Sequence, residues 1–239
     1  MIEAIFFDLY GTLAGFKPSR YEVQSNACSY FGIHLTVEGV IKGYGMADAY
    51  MSHENTIAPI RLKNPKEKDD FFAEYERLVL LGDDVKVDSY KALEIWRKIQ
   101  NIPHDIVLFD EVKHCLKLLK SKDYTLGLIS NYNKRGSLLL EQFGLTGILD
   151  FAVTSLDVGF EKPNKIIFEH AITMADTLAS NVIYVGDQIE SDVMGAINVG
   201  INPILIDRDQ INTQWSKCPV INEIGQLDDV IEKTFTISD

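Results

Sequence analysis

Ile5-Phe6-Phe7-Asp8-Leu9-Tyr10-Gly11-Thr12-Leu13 is the stretch on which the reading of the whole chain turns. Its apolar run lacks the polar alternation of a half-exposed strand, so it reads as a strand covered on both faces, as in a parallel sheet. The run delivers one carboxylate and then turns on Gly11-Thr12. That puts Asp8 at the carboxyl end of the strand, where open α/β sheets bind their ligands. Taken alone, Asp8 serves equally well as a turn residue whose side chain bonds nearby backbone. The residues downstream have to decide.

Downstream the pattern changes twice. From 17 to 104 the apolar residues fall at helical spacing: Val23, Ala27, Tyr30 and Phe31 on one face, Phe71, Tyr75, Leu78 and Val79 on another, and Val87, Tyr90, Leu93 and Trp96 on a third. Thr36, with Glu38 close behind, opens a further helix carrying Val40, Tyr44 and Ala47, a reading that Gly43 and Gly45 weaken. Residues 17–104 are therefore expected to form an all-helical inserted domain. Within it Arg20, Tyr21, Tyr44, Tyr50 and His53 read as packing or surface residues rather than catalytic ones.

From 105 onward helix and strand alternate. Val112, Cys115, Leu116 and Leu119 form a helical face, and strands are expected at 124–129, 149–154, 181–185 and 203–206. Helices fall between them at 134–143, closed by Gly144, at 163–176, with Pro163 as first residue, and at about 189–199. A last helix is expected near 226–235. The fold class is thus α/β: a Rossmann-like parallel sheet with right-handed crossovers, built from residues 1–16 and 105–239.

Composition narrows the function. Of 239 residues, 46% are hydrophobic and 24% charged, as in ordinary globular proteins. Thirty-five acidic residues against 23 Lys and Arg give a net charge of −12, which argues against nucleic acid or an anionic membrane as partner. A chain this acidic that handles an anionic substrate needs a metal or a placed lysine to supply local positive charge. Cys28, Cys115 and Cys218 are odd in number and lack metal-ligand spacing, which suits a reduced cytosol. Glu3 and Asp8 interrupt any leader-like start, and no apolar stretch approaches the roughly 20 residues that span a bilayer. A cytoplasmic protein is expected, with a small anionic molecule as substrate; its oligomeric state is not readable.

Four strand ends carry the chemistry: Asp8, Ser130-Asn131, the loop Glu161-Lys162-Pro163, and Gly186-Asp187 with Asp192 beyond it. Each has an ordinary reading. Ser130-Asn131 would cap the following helix, Lys162 would be a solvated loop residue, and Asp187 and Asp192 would complement a helix dipole. Taken in order, however, Asp-x-x-Gly-Thr after an apolar strand, Ser-Asn, Lys-Pro and Gly-Asp-x-x-x-x-Asp resemble the haloacid dehalogenase superfamily of hydrolases. The resemblance runs from residue 1 to about 206 and includes a helical cap inserted after the first strand. It implies that Asp8 is a nucleophile forming a covalent aspartyl ester. Ser130, the Asn131 amide and Thr12 would hold the transferring group, and Lys162 would stabilise developing charge. Asp8, Asp187 and the backbone carbonyl of Tyr10 would hold Mg²⁺, with Asp192 supporting the metal or Lys162.

One position departs. Phosphatases of this superfamily carry a second Asp two residues after the nucleophile as general acid and base, and here that residue is Tyr10. Positioned proton transfer typically contributes 10²–10⁴-fold. An aromatic residue there resembles the metal-independent 2-haloacid dehalogenases, whose halide leaves without a proton. Those enzymes, however, usually have Ser-x-Asn and a single Asp in the last motif, and a cap Arg about thirty residues after the nucleophile, where residue 39 is Gly. The acidic pair Asp187 and Asp192 weighs toward Mg²⁺-dependent hydrolysis of a small phosphate monoester, with Tyr10 lining the pocket. A 2-haloacid dehalogenase is the alternative, and a weakly catalytic regulatory protein that binds Mg²⁺ and an anion is a third.

Overall fold

All four side chains of strand β1 (Ala4–Phe7) are buried, as a strand covered on both faces requires. In the computed structural model, which describes residues 1–212 and 214–235, the chain forms two compact units. One comprises Met1–Gly15 with Val107–Asp239, the other Phe16–Ile106. The first unit contains β1 together with β4 (Thr125–Ser130), β5 (Phe151–Thr154), β6 (Val182–Gly186), β7 (Asn202–Ile206) and β8 (Val220–Ile221). These pair in parallel as one six-stranded sheet in the order β5-β4-β1-β6-β7-β8.

The strand order reverses at β1: the chain runs outward through β4 and β5, then returns to the other side of β1 with β6. That is the topological switch point, where the two neighbouring crossovers diverge and leave a crevice at the strand ends. Phe7 pairs with Leu128 of β4 and with Val185 of β6, so Asp8, one residue on, stands at that crevice. α5 (Val112–Lys120), α6 (Gly136–Gln142), α7 (Ser155–Val158) and α8 (Lys165–Met174) follow in the crossovers. A core of Phe6, Phe151, Ile167, Phe168, Val182 and Tyr184 is among the contacts that seal the sheet. In it Phe6 meets Phe151 edge-on at 5.4 Å and Phe168 meets Tyr184 at 5.3 Å.

Several elements differ from the sequence reading. Strands β2 (Ala14–Lys17) and β3 (Asp105–Leu108) pair as a two-stranded ribbon where the chain passes between the units; each is too short to show a period. Pro163 does not open α8. It follows a cis peptide in a turn closed by Asn164 N–H donating to the Glu161 carbonyl at 2.9 Å, and Asn164 caps the helix through Ile166 N–H at 3.0 Å. The helix expected at 189–199 is a wide π-type turn, Ile189–Met194, followed by the single turn α9 (Gly195–Ile197). α7 and β8 were too short to read from the pattern, and α10 (Leu227–Thr234) lies within the expected final helix.

The second unit holds α1 (Arg20–Ser29), α2 (Val37–Ile57), α3 (Pro65–Leu81) and α4 (Ser89–Gln100). Capping boxes start α1 (Ser19 with Glu22) and α3 (Asn64 with Glu67), satisfying N–H groups that no intrahelical carbonyl reaches. Thr36 caps α2 as expected. Gly43 does not weaken α2, because a Cβ there would sit 1.9 Å from the Val79 carbonyl oxygen, and one on Gly82 would sit 2.1 Å from that of Gly39. The glycines let α2 and α3 touch backbone to backbone. On α4 the buried face is Ala92, Ile95 and Ile99, whereas Tyr90 is exposed; it lies in the first turn of α4, one residue after the helix begins. Tyr44 is buried, and Tyr50 stacks on Phe71 at 5.1 Å, while Arg20 pairs with Asp48 at 2.6 Å. Among the described residues no helix is long and apolar enough to cross a membrane.

Candidate active site

The loop after β1 closes on itself. Leu13 and Ala14 both donate their N–H to the Leu9 carbonyl at 2.8 Å, and Gly11 N–H donates to the Ala14 carbonyl at 2.8 Å. Gly11 has φ +83°, and a Cβ there would stand 2.2 Å from Asp187 Oδ2. Only a residue without a side chain permits both the left-handed turn and that contact. Asp8 N–H donates to the Val185 carbonyl at 2.9 Å, so the carboxylate is held at the switch point by the strand that also delivers Asp187.

Lys162 arrives from the turn before α8 and is buried, with its side chain only 3% exposed. Its ammonium donates to Asp8 Oδ1 at 2.6 Å, to Asp192 Oδ1 at 2.6 Å and to the Tyr184 hydroxyl at 2.9 Å. All three of its donors are thus engaged. Asp192, 1% exposed on its side chain, also accepts from the Tyr184 hydroxyl at 3.0 Å and, through Oδ2, from Gln188 N–H at 3.0 Å. Asn131 fixes the lysine's own backbone: its Oδ1 accepts from Lys162 N–H at 2.6 Å and its Nδ2 donates to the Lys162 carbonyl at 3.1 Å. Two of the ordinary readings therefore fail. Asn131 caps no helix, Arg135 standing at the start of α6, and Lys162 is not a solvated loop residue.

Asp8, Asp187 and Asp192 each bring a carboxylate oxygen within 4.8 Å of the others. Three carboxylates converge here, two of them on the Lys162 ammonium, and burial makes their charge costly. Desolvation raises Asp8 to about 6, although the Lys162 charge pulls in the opposite direction. Burial also opposes the Lys162 ammonium, but Asp192 and Asp8 outweigh it and the lysine stays charged above its ordinary value. Thr12 Oγ1 is buried without a hydrogen-bond partner, an unsatisfied group of the kind found where a ligand atom completes the shell. The oxygen-only donor set, the unsatisfied hydroxyl and the glycine that admits Asp187 all fit a hard divalent cation.

Of the expected residues, Asp8, Lys162, Asp187 and Asp192 converge directly. Asn131 reaches the cluster through the Lys162 backbone. Ser130 is buried at the end of β4, and Thr12 and Tyr10 lie on the Asp8 loop. Tyr184 was missed. Its signal was a hydroxyl-bearing ring inside Val182-Ile183-Tyr184-Val185, since such a strand, covered on both faces, buries a polar tip only with a partner.

The family model for haloacid dehalogenase-like hydrolases matches residues 2–200. Glyceraldehyde 3-phosphate phosphatase of Methanothermobacter thermautotrophicus is 30% identical over 97% of this chain and 100% of its own length. Ribulose-1,5-bisphosphate 5-phosphatase of Halopiger xanaduensis is 28% identical over 53% of this chain and 58% of its own. Among solved structures, a 2-haloacid dehalogenase from Pseudomonas syringae pv. Tomato superposes over 98% of this chain and 99% of its own, with a TM-score of 0.57 and 24% identity. That last likeness is one of fold.

Proposed function

This chain belongs to the haloacid dehalogenase-like hydrolases and is an enzyme of that class, and from that premise we propose that it hydrolyses a small phosphate monoester with Mg²⁺ at the Asp8 cluster. The observation that carries the reading is the convergence of three carboxylates, Asp8, Asp187 and Asp192, into an oxygen-only donor set of the kind a hard divalent cation takes. The phosphatase names of the curated relatives point the same way.

Asp8, Asp187 and the Tyr10 carbonyl would hold the cation, which when bound neutralises phosphate charge and eases attack by an anion. Lys162 holds Asp8 Oδ1, which leaves Oδ2 to attack phosphorus. The P–O bond to the leaving alcohol breaks as the Asp8 ester forms, and water then attacks the same phosphorus and frees the carboxylate. Thr12, Ser130 and the Asn131 backbone would bind phosphoryl oxygens. Asp192 and Tyr184 act through Lys162 by fixing its ammonium. With Tyr10 where the superfamily's phosphatases carry a second Asp, that proton donor to the departing oxygen is missing, so esters with good leaving groups should turn over fastest. The helical unit is proposed as a cap that selects the substrate.

Tyr10 itself favours the second reading, a dehalogenase whose leaving halide takes no proton. A paired assay separates the two. Phosphate release from p-nitrophenyl phosphate and from glyceraldehyde 3-phosphate, abolished by EDTA and missing in Asp8→Asn, supports the phosphatase. Chloride release from 2-chloropropionate that is indifferent to EDTA overturns it.

A further inference from the structure

We infer that Arg208, in the loop after β7 and outside every motif of the site, is a positioning residue for the Asp8 loop. Its guanidinium donates twice to the Thr12 carbonyl, from Nη2 at 2.7 Å and from Nε at 3.2 Å. The same Nη2 lies 2.8 Å from Glu111 Oε1, and the guanidinium carbon sits 3.8 Å from the centre of the Phe109 ring. Phe109 in turn donates its N–H to the Leu13 carbonyl at 3.0 Å. Its ring lies where a Cβ on Gly15 would approach to 2.8 Å.

Arg208 is itself delivered by a fixed loop. Asp207 is buried at the end of β7. Its N–H donates to the Ile221 carbonyl at 2.7 Å, and its carboxylate accepts from Ile211 N–H at 3.1 Å and Asn212 N–H at 2.7 Å. Asn222 Nδ2 donates to the Asp207 carbonyl at 2.8 Å. A rigid fork, set beside a carboxylate at ion-pair distance and over an aromatic face, thus grips the Thr12 carbonyl. Planar, two-point recognition of this kind is what Arg offers and Lys does not. The segment it fixes carries Asp8, the Tyr10 carbonyl and Thr12, where displacement by about 1 Å costs on the order of 100-fold in rate.

The inference rests on the reading of the Asp8 loop as catalytic, and its test has one arm that needs no activity. Arg208→Ala and Arg208→Lys are compared with wild type and with the surface control Arg97→Ala, using hydrogen exchange of the 9–14 amides and p-nitrophenyl phosphate kinetics with Mg²⁺. The expected result is exchange of those amides at least tenfold faster in both Arg208 variants, with β1 and β6 amides unchanged. A 10- to 100-fold fall in kcat with KM within about threefold should accompany it, with partial recovery of Arg208→Ala by added guanidinium. Wild-type protection of 9–14 overturns the inference. So does an unchanged kcat, or a loss that follows the folded fraction alone. If wild type releases no phosphate, the phosphate-ester reading falls and the exchange arm decides for Arg208.

Discussion

Replacing Glu76 by Gln should make the protein more stable in alkali and remove a pH dependence that the helical unit now carries. Glu76 on α3 is fully buried among helices. Its Oε1 accepts from Gln24 Nε2 at 2.5 Å, Gln24 Oε1 accepts from the Tyr44 hydroxyl at 2.9 Å, and Gln24 also approaches Cys28 Sγ at 3.4 Å. Oε2 has no partner. Burial raises its carboxyl from an ordinary 4.5 to about 8, with the Gln24 bond pulling weakly the other way. Between those two values the folded protein holds a proton that the unfolded chain has released, so stability must fall as pH rises across that window. The contribution of Glu76 is undiminished below about pH 4.5 and fully lost above about pH 8. At about 1.4 kcal/mol per pH unit the loss approaches 5 kcal/mol, comparable with the whole stability of many domains. The amide of Gln keeps the shape and the Gln24 bond but buries an N–H₂ group where Oε2 now lacks a partner, at about 1–3 kcal/mol. The net gain expected at pH 9 is therefore about 2–4 kcal/mol, seen as a melting temperature roughly 5–10 °C higher, with little change or a slight loss at pH 5. Urea unfolding followed by far-UV circular dichroism from pH 5 to 9 gives the difference between the two proteins, in which every other titrating group cancels. A difference that is flat with pH, or that grows in the wild type's favour toward pH 9, would refute the reasoning.

Three further outcomes follow from contacts already described. Gly43→Ala should cost about 1–3 kcal/mol in urea unfolding, because the new methyl meets the Val79 backbone, which cannot rotate away as a side chain would. Lys162→Met leaves Asp8 and Asp192 facing each other without their shared cation; breaking such a buried set typically costs about 3–5 kcal/mol, and p-nitrophenyl phosphate turnover should drop below detection even where the protein stays folded by circular dichroism. Tyr10→Asp should raise turnover of unactivated phosphate esters by about tenfold or more if a missing proton donor limits the rate, whereas no gain in steady-state kinetics would give Tyr10 a part of its own.

The site was more legible than its surroundings. Asp8, Ser130, Asn131 and Asp187 stand at predicted strand ends or just beyond them, with Lys162 and Asp192 further along the connections that follow, and a turn residue after an apolar run is a local signal. Their partnerships were not local. Asn131 looked like a helix cap and instead grips the backbone of Lys162, 31 residues away. Gly43 looked like a helix breaker because propensity counts the residue alone, whereas α3 lies against it. Tyr90 was assigned to a buried face because helical spacing fixes which residues share a face but not which face turns inward.

The sequence by itself determined the alternation of helix and strand in the first unit, the helical block between its two parts, the strand that carries Asp8 and the chemical types gathered at the strand ends, because period and turn chemistry act over a few residues. Only the tertiary structure decided that β4 and β6 flank β1, that Lys162 is shared by Asp8, Asp192 and Tyr184, that Glu76 is buried with one oxygen unsatisfied, and that Arg208 reaches across 196 positions to the Thr12 carbonyl. Those pairings depend on which surfaces exclude water together, and burial is a property of the packed chain rather than of any stretch within it.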